Sequence, residues 1–181
     1  MSVLPAFRHP KPIGAEGRCI GAGTDLTVDP RRAKRLAHRI RRLARREGLP
    51  RVVATSPLQR CAAVGRWLKR WGWRHRIDAD LRELDFGAWE GRTWAEIGQA
   101  EVDAWCADFS GYAPGGGEPL AALLARAGAW QARGASVVVS HGGWLLARRW
   151  MAEHPDSRRP RVDEWPVAPR YGACVLLTTP S

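Results

Sequence analysis

Two histidines stand at the ends of short apolar runs, and their neighbours are groups that bind anions. His9 follows Arg8 after Val3 to Phe7; His141 follows the β-branched run Ser136 to Val139 and precedes Gly142 and Gly143. Two glycines at that point let a ligand approach the backbone and open a helix whose first N–H groups are free to cradle an anion. A third segment, Thr55-Ser56-Pro57-Leu58-Gln59-Arg60, sets an arginine in the first turn after another short strand. Arginine grips phosphate with paired N–H donors, and a neutral imidazole nitrogen is a competent nucleophile when its other nitrogen is held by a hydrogen bond. A fourth segment, Leu81-Arg82-Glu83-Leu84-Asp85-Phe86-Gly87-Ala88-Trp89-Glu90-Gly91, places carboxylates among apolar residues. Taken singly each segment has an ordinary reading, since strands end in polar residues on reaching water and loop carboxylates are usually solvated.

The elements that must position these groups alternate. Val3 to Phe7, Arg51 to Ala54, Arg74 to Ile77, Ser136 to Val139 and Ala173 to Thr178 read as strands. Asp29 followed by Pro30 starts a helix, with Ala33, Leu36, Ala37, Ile40, Leu43 and Ala44 on one face and Gly48 at its end. Ser56 and Pro57 repeat the cap-then-proline signal before a helix carrying Leu58, Cys61, Ala62, Gly65 and Leu68. Thr93-Trp94-Ala95-Glu96 has capping-box spacing and predicts a helix to about Asp108. After a Gly/Pro-rich break from Tyr112 to Pro119, Leu120 to Ala132 and the segment with Trp144, Leu145 and Trp150 are helical. This alternation predicts a three-layer α/β/α sandwich around a mostly parallel sheet, with ligands at strand C-terminal ends. His9 and His141 both fall there.

The chain of 181 residues, with 45% hydrophobic residues and ten tryptophans, predicts one domain over residues 1–181 with a substantial core. No apolar run reaches membrane-spanning length and the first residues lack a secretory pattern, which predicts a cytoplasmic location without membrane association. Four cysteines without a CxxC pair predict free thiols and no zinc site. A net charge of +11 favours phosphorylated metabolites, nucleic acid or acidic surfaces as partners.

In order and spacing, Arg8-His9, Ser56-Pro57-Leu58-Gln59-Arg60, the Glu83 loop and Ser140-His141-Gly142-Gly143 resemble the signature of the histidine phosphatase superfamily, phosphoglycerate mutase-like branch, over nearly the whole chain. The resemblance implies that fold, a metal-independent and cofactor-free phosphomonoester hydrolase, and a small phosphorylated metabolite as its partner. It makes His9 the nucleophile that becomes phosphohistidine, Arg8 and Arg60 the phosphate grips, and His141, with Gly142, the completion of the phosphate pocket. Glu83 falls where the family keeps its general acid, with Asp85 as runner-up. The chain is too short for the insertions of phosphoglycerate mutases, so hydrolysis is expected. The Cys19 loop, Phe86-Gly87-Ala88-Trp89-Glu90-Gly91 and Tyr171-Gly172-Ala173 are most similar to the α-ribazole phosphatases of cobalamin assembly; a broad-specificity or sugar-phosphate phosphatase is the alternative.

Two departures from the family pattern concern the pocket. Pro10 replaces the usual glycine, removing an N–H and fixing φ near about −65°. The loop Gly17 to Leu26, which brings Thr24 and Asp25 toward the expected pocket, is one residue longer than the family pattern and lacks its arginine.

Trp89 reads either as a pocket wall or as packing of its loop, and Glu118 either as a substrate contact or as an acid favoured at a helix start. His38, His75 and His154 are expected exposed. Trp67, Trp71 and Trp73 are expected to pack at a helix end, and Glu153 to Arg170 to form a long loop over the substrate side. Nine basic residues and no acid lie between Arg31 and Arg46. They form a solvated helix face on one reading and a polyanion-binding patch on the other, the latter giving a non-catalytic binding protein as the rival from another class. No specific nucleic-acid partner is predicted, because no base-reading element accompanies the charge.

Overall fold

A computed structural model describes residues 2–156 and 158–179. Five strands form one sheet: β1 (Ser2–Arg8), β2 (Val52–Thr55), β3 (Arg74–Ile77), β4 (Val137–Ser140) and β5 (Cys174–Thr179), in the order β3-β2-β4-β1-β5. The first four run parallel, and β5 closes the edge antiparallel to β1, with Phe7 opposite Cys174. The helices are α1 (Pro30–Arg46), α2 (Gln59–Arg70), α3 (Gln99–Ala107), α4 (Leu120–Ala129) and α5 (Gly142–Glu153).

Side-chain alternation along the strands feeds two cores. Phe7, Val53, Val137 and Val139 face α1 and α2, while Ala6, Ala54 and Val138 face α4 and α5. The central strands β2 and β4 are buried on both faces, as parallel strands under crossover helices must be, whereas the edge strands β3 and β5 are partly exposed. In α1 the spacing Ala33, Leu36, Ala37, Ile40 and Ala44 is the buried stripe, and the Asp29 carboxylate caps it by accepting the N–H groups of Arg31 and Arg32.

Several local expectations are corrected. Thr93 and Glu96 do hydrogen-bond as a capping pair, at 2.7 and 2.8 Å, but they close a turn, and α3 begins only after Gly98. Between them Ile97 turns inward to a small core with Cys19 and Trp89, which breaks the helical path. Before α2, which starts at Gln59, the Ser56 hydroxyl accepts the Leu58 N–H at 3.3 Å and also bonds His141, while the Asp25 carboxylate reaches across to the N–H of Gln59 at 2.6 Å. His75 is not exposed; it lies half-buried under Gly65 and bonds Thr55 Oγ1 at 2.8 Å. His154 is likewise half-buried, stacked on Trp150 at 4.0 Å, whereas His38 is exposed. Trp73 is buried, and Trp67 and Trp71 are half-buried beside it. All four cysteines are free. Among the described residues no helix is long and apolar enough to cross a membrane.

Candidate active site

The C-terminal ends of β1, β2 and β4 converge, as neighbours in a parallel sheet must, and bring His9, Arg60 and His141 together. The imidazoles of His9 and His141 meet edge to face, 5.0 Å between centroids, and both are nearly sealed from solvent. His9 Nδ1 lies 2.7 Å from the carbonyl oxygen of Pro10. A carbonyl only accepts, so Nδ1 carries the proton and Nε2 keeps its lone pair. The proline that replaces the family glycine therefore orients the histidine through its oxygen.

His141 is held from both sides. Arg60 Nε–H donates to its Nδ1 at 3.2 Å, so the ring proton sits on Nε2 and is donated to Ser56 Oγ at 2.8 Å. Arg60 also donates to the carbonyls of Thr24 and Gly21, each at 2.7 Å. Three of its five N–H groups are engaged and two remain. Arg8 lies with its guanidinium 3.9 Å from the centre of the Tyr171 ring and donates from Nη1 to the Pro169 carbonyl at 2.7 Å, while its buried Nε–H has no partner among the described residues. An orphaned guanidinium donor beside an unprotonated imidazole nitrogen is a fit for an anion.

The glycines after His141 also leave room for protein side chains. A Cβ on Gly142 would lie 3.2 Å from the Arg8 guanidinium carbon, and one on Gly143 would lie 2.4 Å from Glu83 Oε1. What approaches the backbone is Arg8 and Glu83 themselves. The Glu83 carboxylate accepts the Gly143 N–H at 2.9 Å and the Leu84 N–H at 3.0 Å, at the head of α5. Asp85 turns away, exposed, to accept the Gly87 N–H at 2.8 Å.

The structure gives each of the four candidate pocket residues another protein partner or a packing role. Trp89 is fully buried, with its indole N–H on Glu101 at 2.5 Å, and packs its loop rather than walling the pocket. Glu118 pairs with Arg126 at 2.8 Å. The Thr24 hydroxyl bonds Glu90, and Asp25 caps α2 as described; the backbone of Thr24, not its side chain, meets Arg60.

The sequence assigns no role to three supporting residues, although Glu90 and Tyr171 stand in segments that carry the resemblance. Glu90 ties two loops together by accepting the N–H groups of Gly21, Gly23 and Phe86. Arg126 reaches the carbonyls of Asp80 and Arg82 and pins the Glu83 loop from behind. Tyr171 covers Arg8 and lies 5.5 Å from the His9 ring. The Phe86 to Gly91 segment was the signal available for Glu90. Among the described residues no group of three or more His, Cys, Asp or Glu side chains is gathered as a metal site.

Burial, reinforced by Arg60 and Arg8, pushes the His9 imidazole down to about 3 against the opposing pull of its bond to Pro10. Burial and then Arg60 hold His141 well below its ordinary value too. Both rings are therefore neutral at pH 7. The unfolded chain takes up protons near 6.5 that these rings refuse, so their stabilising contribution is full above pH 6.5 and is lost as pH falls toward about 3. The loss approaches about 1.4 kcal/mol per pH unit for each ring. The expected result is a urea midpoint that falls between pH 7 and pH 5 and a His9 ring signal in NMR that does not titrate near 6.5; a ring titrating there would contradict the buried neutral state.

A mostly parallel sheet that gathers two neutral histidines and two arginines at its C-terminal end defines an α/β domain with a cationic pocket. The model of the histidine phosphatase superfamily (branch 1) matches residues 6–164, and the chain belongs to that superfamily. Among solved structures, the mycobacterial glucosyl-3-phosphoglycerate phosphatase Rv2419c in complex with VO3 is similar at 25% identity and TM-score 0.74, covering 98% of this chain and 91% of that one. The α-ribazole phosphatase from Shigella flexneri shares the fold at 22% identity and TM-score 0.72, covering 97% of this chain and 89% of that one. The bifunctional protein Rv2228c of Mycobacterium tuberculosis is 41% identical over 88 residues, 46% of this chain and 24% of that protein. The match thus spans about a quarter of the length of that curated relative.

Proposed function

We propose that the chain hydrolyses phosphomonoesters through a phosphohistidine at His9. The observation that carries this is that His9 keeps a lone pair on Nε2 while the adjoining Arg8 keeps a buried, unpartnered Nε–H among the described residues. Arg8 and the two unengaged N–H groups of Arg60 bind the phosphoryl oxygens, and His141 fixes Arg60 and closes the pocket beneath His9. His9 Nε2 attacks phosphorus as the ester P–O bond breaks, and Glu83 gives its proton to the departing oxygen. Water then attacks phosphorus, returns a proton to Glu83 and releases phosphate as the P–N bond breaks. Catalysis of such a loose transition state rests on positioning and charge stabilisation, which fixed guanidiniums supply.

Within this class, α-ribazole 5′-phosphate is the first candidate substrate, supported by the Cys19 loop, the Phe86 to Gly91 segment and Tyr171-Gly172-Ala173. The alternative is a broad-specificity or sugar-phosphate phosphatase, favoured by the likeness to the glucosyl-3-phosphoglycerate enzyme. Hydrolysis of α-ribazole 5′-phosphate, a sugar phosphate and an aryl phosphate, all in chelator, separates the two. Salt-dependent polyanion binding without any turnover would instead support the non-catalytic rival.

The head of α5 yields a sharper test. In Gly143→Ala the new methyl displaces the Glu83 carboxylate, while alanine favours the helix by about 1 kcal/mol. The expected outcome is unchanged or raised thermal stability with alkyl phosphate turnover lowered about 10- to 100-fold, the penalty of misplacing a catalytic group by about 1 Å. Undiminished turnover would show that Glu83 does not act from this position.

A further inference from the structure

Beside the phosphoryl site lies a cavity of about 490 Å³, opening directly from Arg8, Glu83, Gly142 and Gly143. Its aromatic lining comes from three regions: Phe86 and Trp94 in and after the acid loop, Trp105 and Phe109 from and just after α3, Trp165 and Tyr171 from the segment before β5. The rings contact one another around it, Phe86 to Trp105 at 5.9 Å, Trp105 to Phe109 at 5.4 Å and Phe109 to Trp165 at 5.9 Å between centroids. Two further observations point to an occupant. No residue of α3 is fully buried, although Val102 and Trp105 are apolar and face the cavity. Trp94, Val162 and Tyr171, which also line it, are 43%, 45% and 40% exposed, large apolar groups left open to water. The indole N–H of Trp105 is buried without a partner among the described residues.

We infer that the alcohol part of the substrate is a planar aromatic or similarly apolar group seated in this cavity, with its phosphate at Arg8 and His9. The inference rests on the phosphatase reading above and names its substrate class. A bare sugar would place several hydroxyls against indole and phenyl rings, and hydroxyls left without partners weigh heavily against binding. Of the charged groups on the lining, Arg8 and Glu83 belong to the phosphoryl site, and Arg18 is exposed and donates to the Gly91 carbonyl.

The test compares 2-phenylethyl phosphate, ethyl phosphate and glucose 6-phosphate, three alkyl esters whose leaving groups differ chiefly in shape and polarity. The expected kcat/KM for the phenylethyl ester exceeds that for the ethyl ester by about a hundredfold. In Trp105→Ala this ratio falls about tenfold, and Trp94→Ala, at the exposed rim, lowers it in the same direction. Because the readout is a ratio within one protein, a partly unfolded variant does not mimic the effect. A parent ratio near one, a ratio unchanged in both variants, or preference for glucose 6-phosphate overturns the inference. If no ester turns over, the phosphatase reading fails and the cavity is judged separately, by calorimetric binding of 3-phenylpropylphosphonate against propylphosphonate. At least about tenfold tighter binding of the phenyl compound sustains the apolar subsite, and equal binding overturns it.

Discussion

Replacing His9 by alanine is expected to lower kcat/KM for every phosphomonoester by at least about 10⁴-fold, whatever the leaving group. No neighbouring group can substitute. His141 has its Nδ1 lone pair engaged by Arg60 and its Nε2 proton on Ser56. The thiol of Cys61, 3.5 Å from His141 Nε2, is fully buried and held protonated by that burial. The parent should retain label from a ³²P-phosphorylated substrate after denaturation in alkali, where phosphohistidine survives, and His9→Ala should retain none. Label persisting on the variant would assign the covalent step to another residue.

Glu83→Gln is expected to separate substrates by leaving group. An alkoxide cannot depart unprotonated, so alkyl phosphates should slow about 10²- to 10³-fold, while an aryl phosphate with an acidic phenol should lose less than about tenfold. The variant keeps the side chain's length, and its one remaining carbonyl oxygen can accept either the Gly143 or the Leu84 N–H. Folding should therefore be nearly preserved, which thermal denaturation checks. Equal losses for alkyl and aryl esters would remove Glu83 from the acid role.

What could be read in the sequence were the groups whose function depends on their immediate neighbours. A histidine closing an apolar run, a proline after Asp29 and a glycine pair before a helix each express a local rule, and His9, α1 and the head of α5 lie where those rules put them. Partners chosen across the fold were not legible in this way. Ser56 reads as a helix cap because the next residue is proline, and its hydroxyl does take the Leu58 N–H, but that it also holds His141 and that Asp25 adds a bond to Gln59 could not be read there. Trp89, Trp94 and Trp105 are chemically alike in sequence; that Trp89 fills a core while the other two line a cavity is decided by the inward turn at Ile97. Arg126 gave no signal, because its role depends on carbonyl groups more than forty positions away.

The close packing of the acid loop shows the same dependence. Gly87, at φ +52°, would place a Cβ 2.3 Å from the Gly115 carbonyl, and Gly117 would place one 2.2 Å from that of Asp85. The Pro/Gly-rich segment before α4, which reads as a simple break in the chain, is in fact a backbone-to-backbone buttress. The Glu118 N–H completes it with a 2.7 Å bond to Asp85.

The strand that carries Arg8 and His9 is the first one synthesised, yet it lies between β4 and β5, and the Gly172 N–H bonds the carbonyls of both residues. At a ribosome adding about 5–20 residues per second, β1 therefore waits many seconds for either neighbour. Throughout that wait it presents two unpaired edges, a liability for aggregation. The candidate site thus closes only once β4 and β5 have both been made, and until Gly172 is in place His9 sits at the end of a strand with no fixed position.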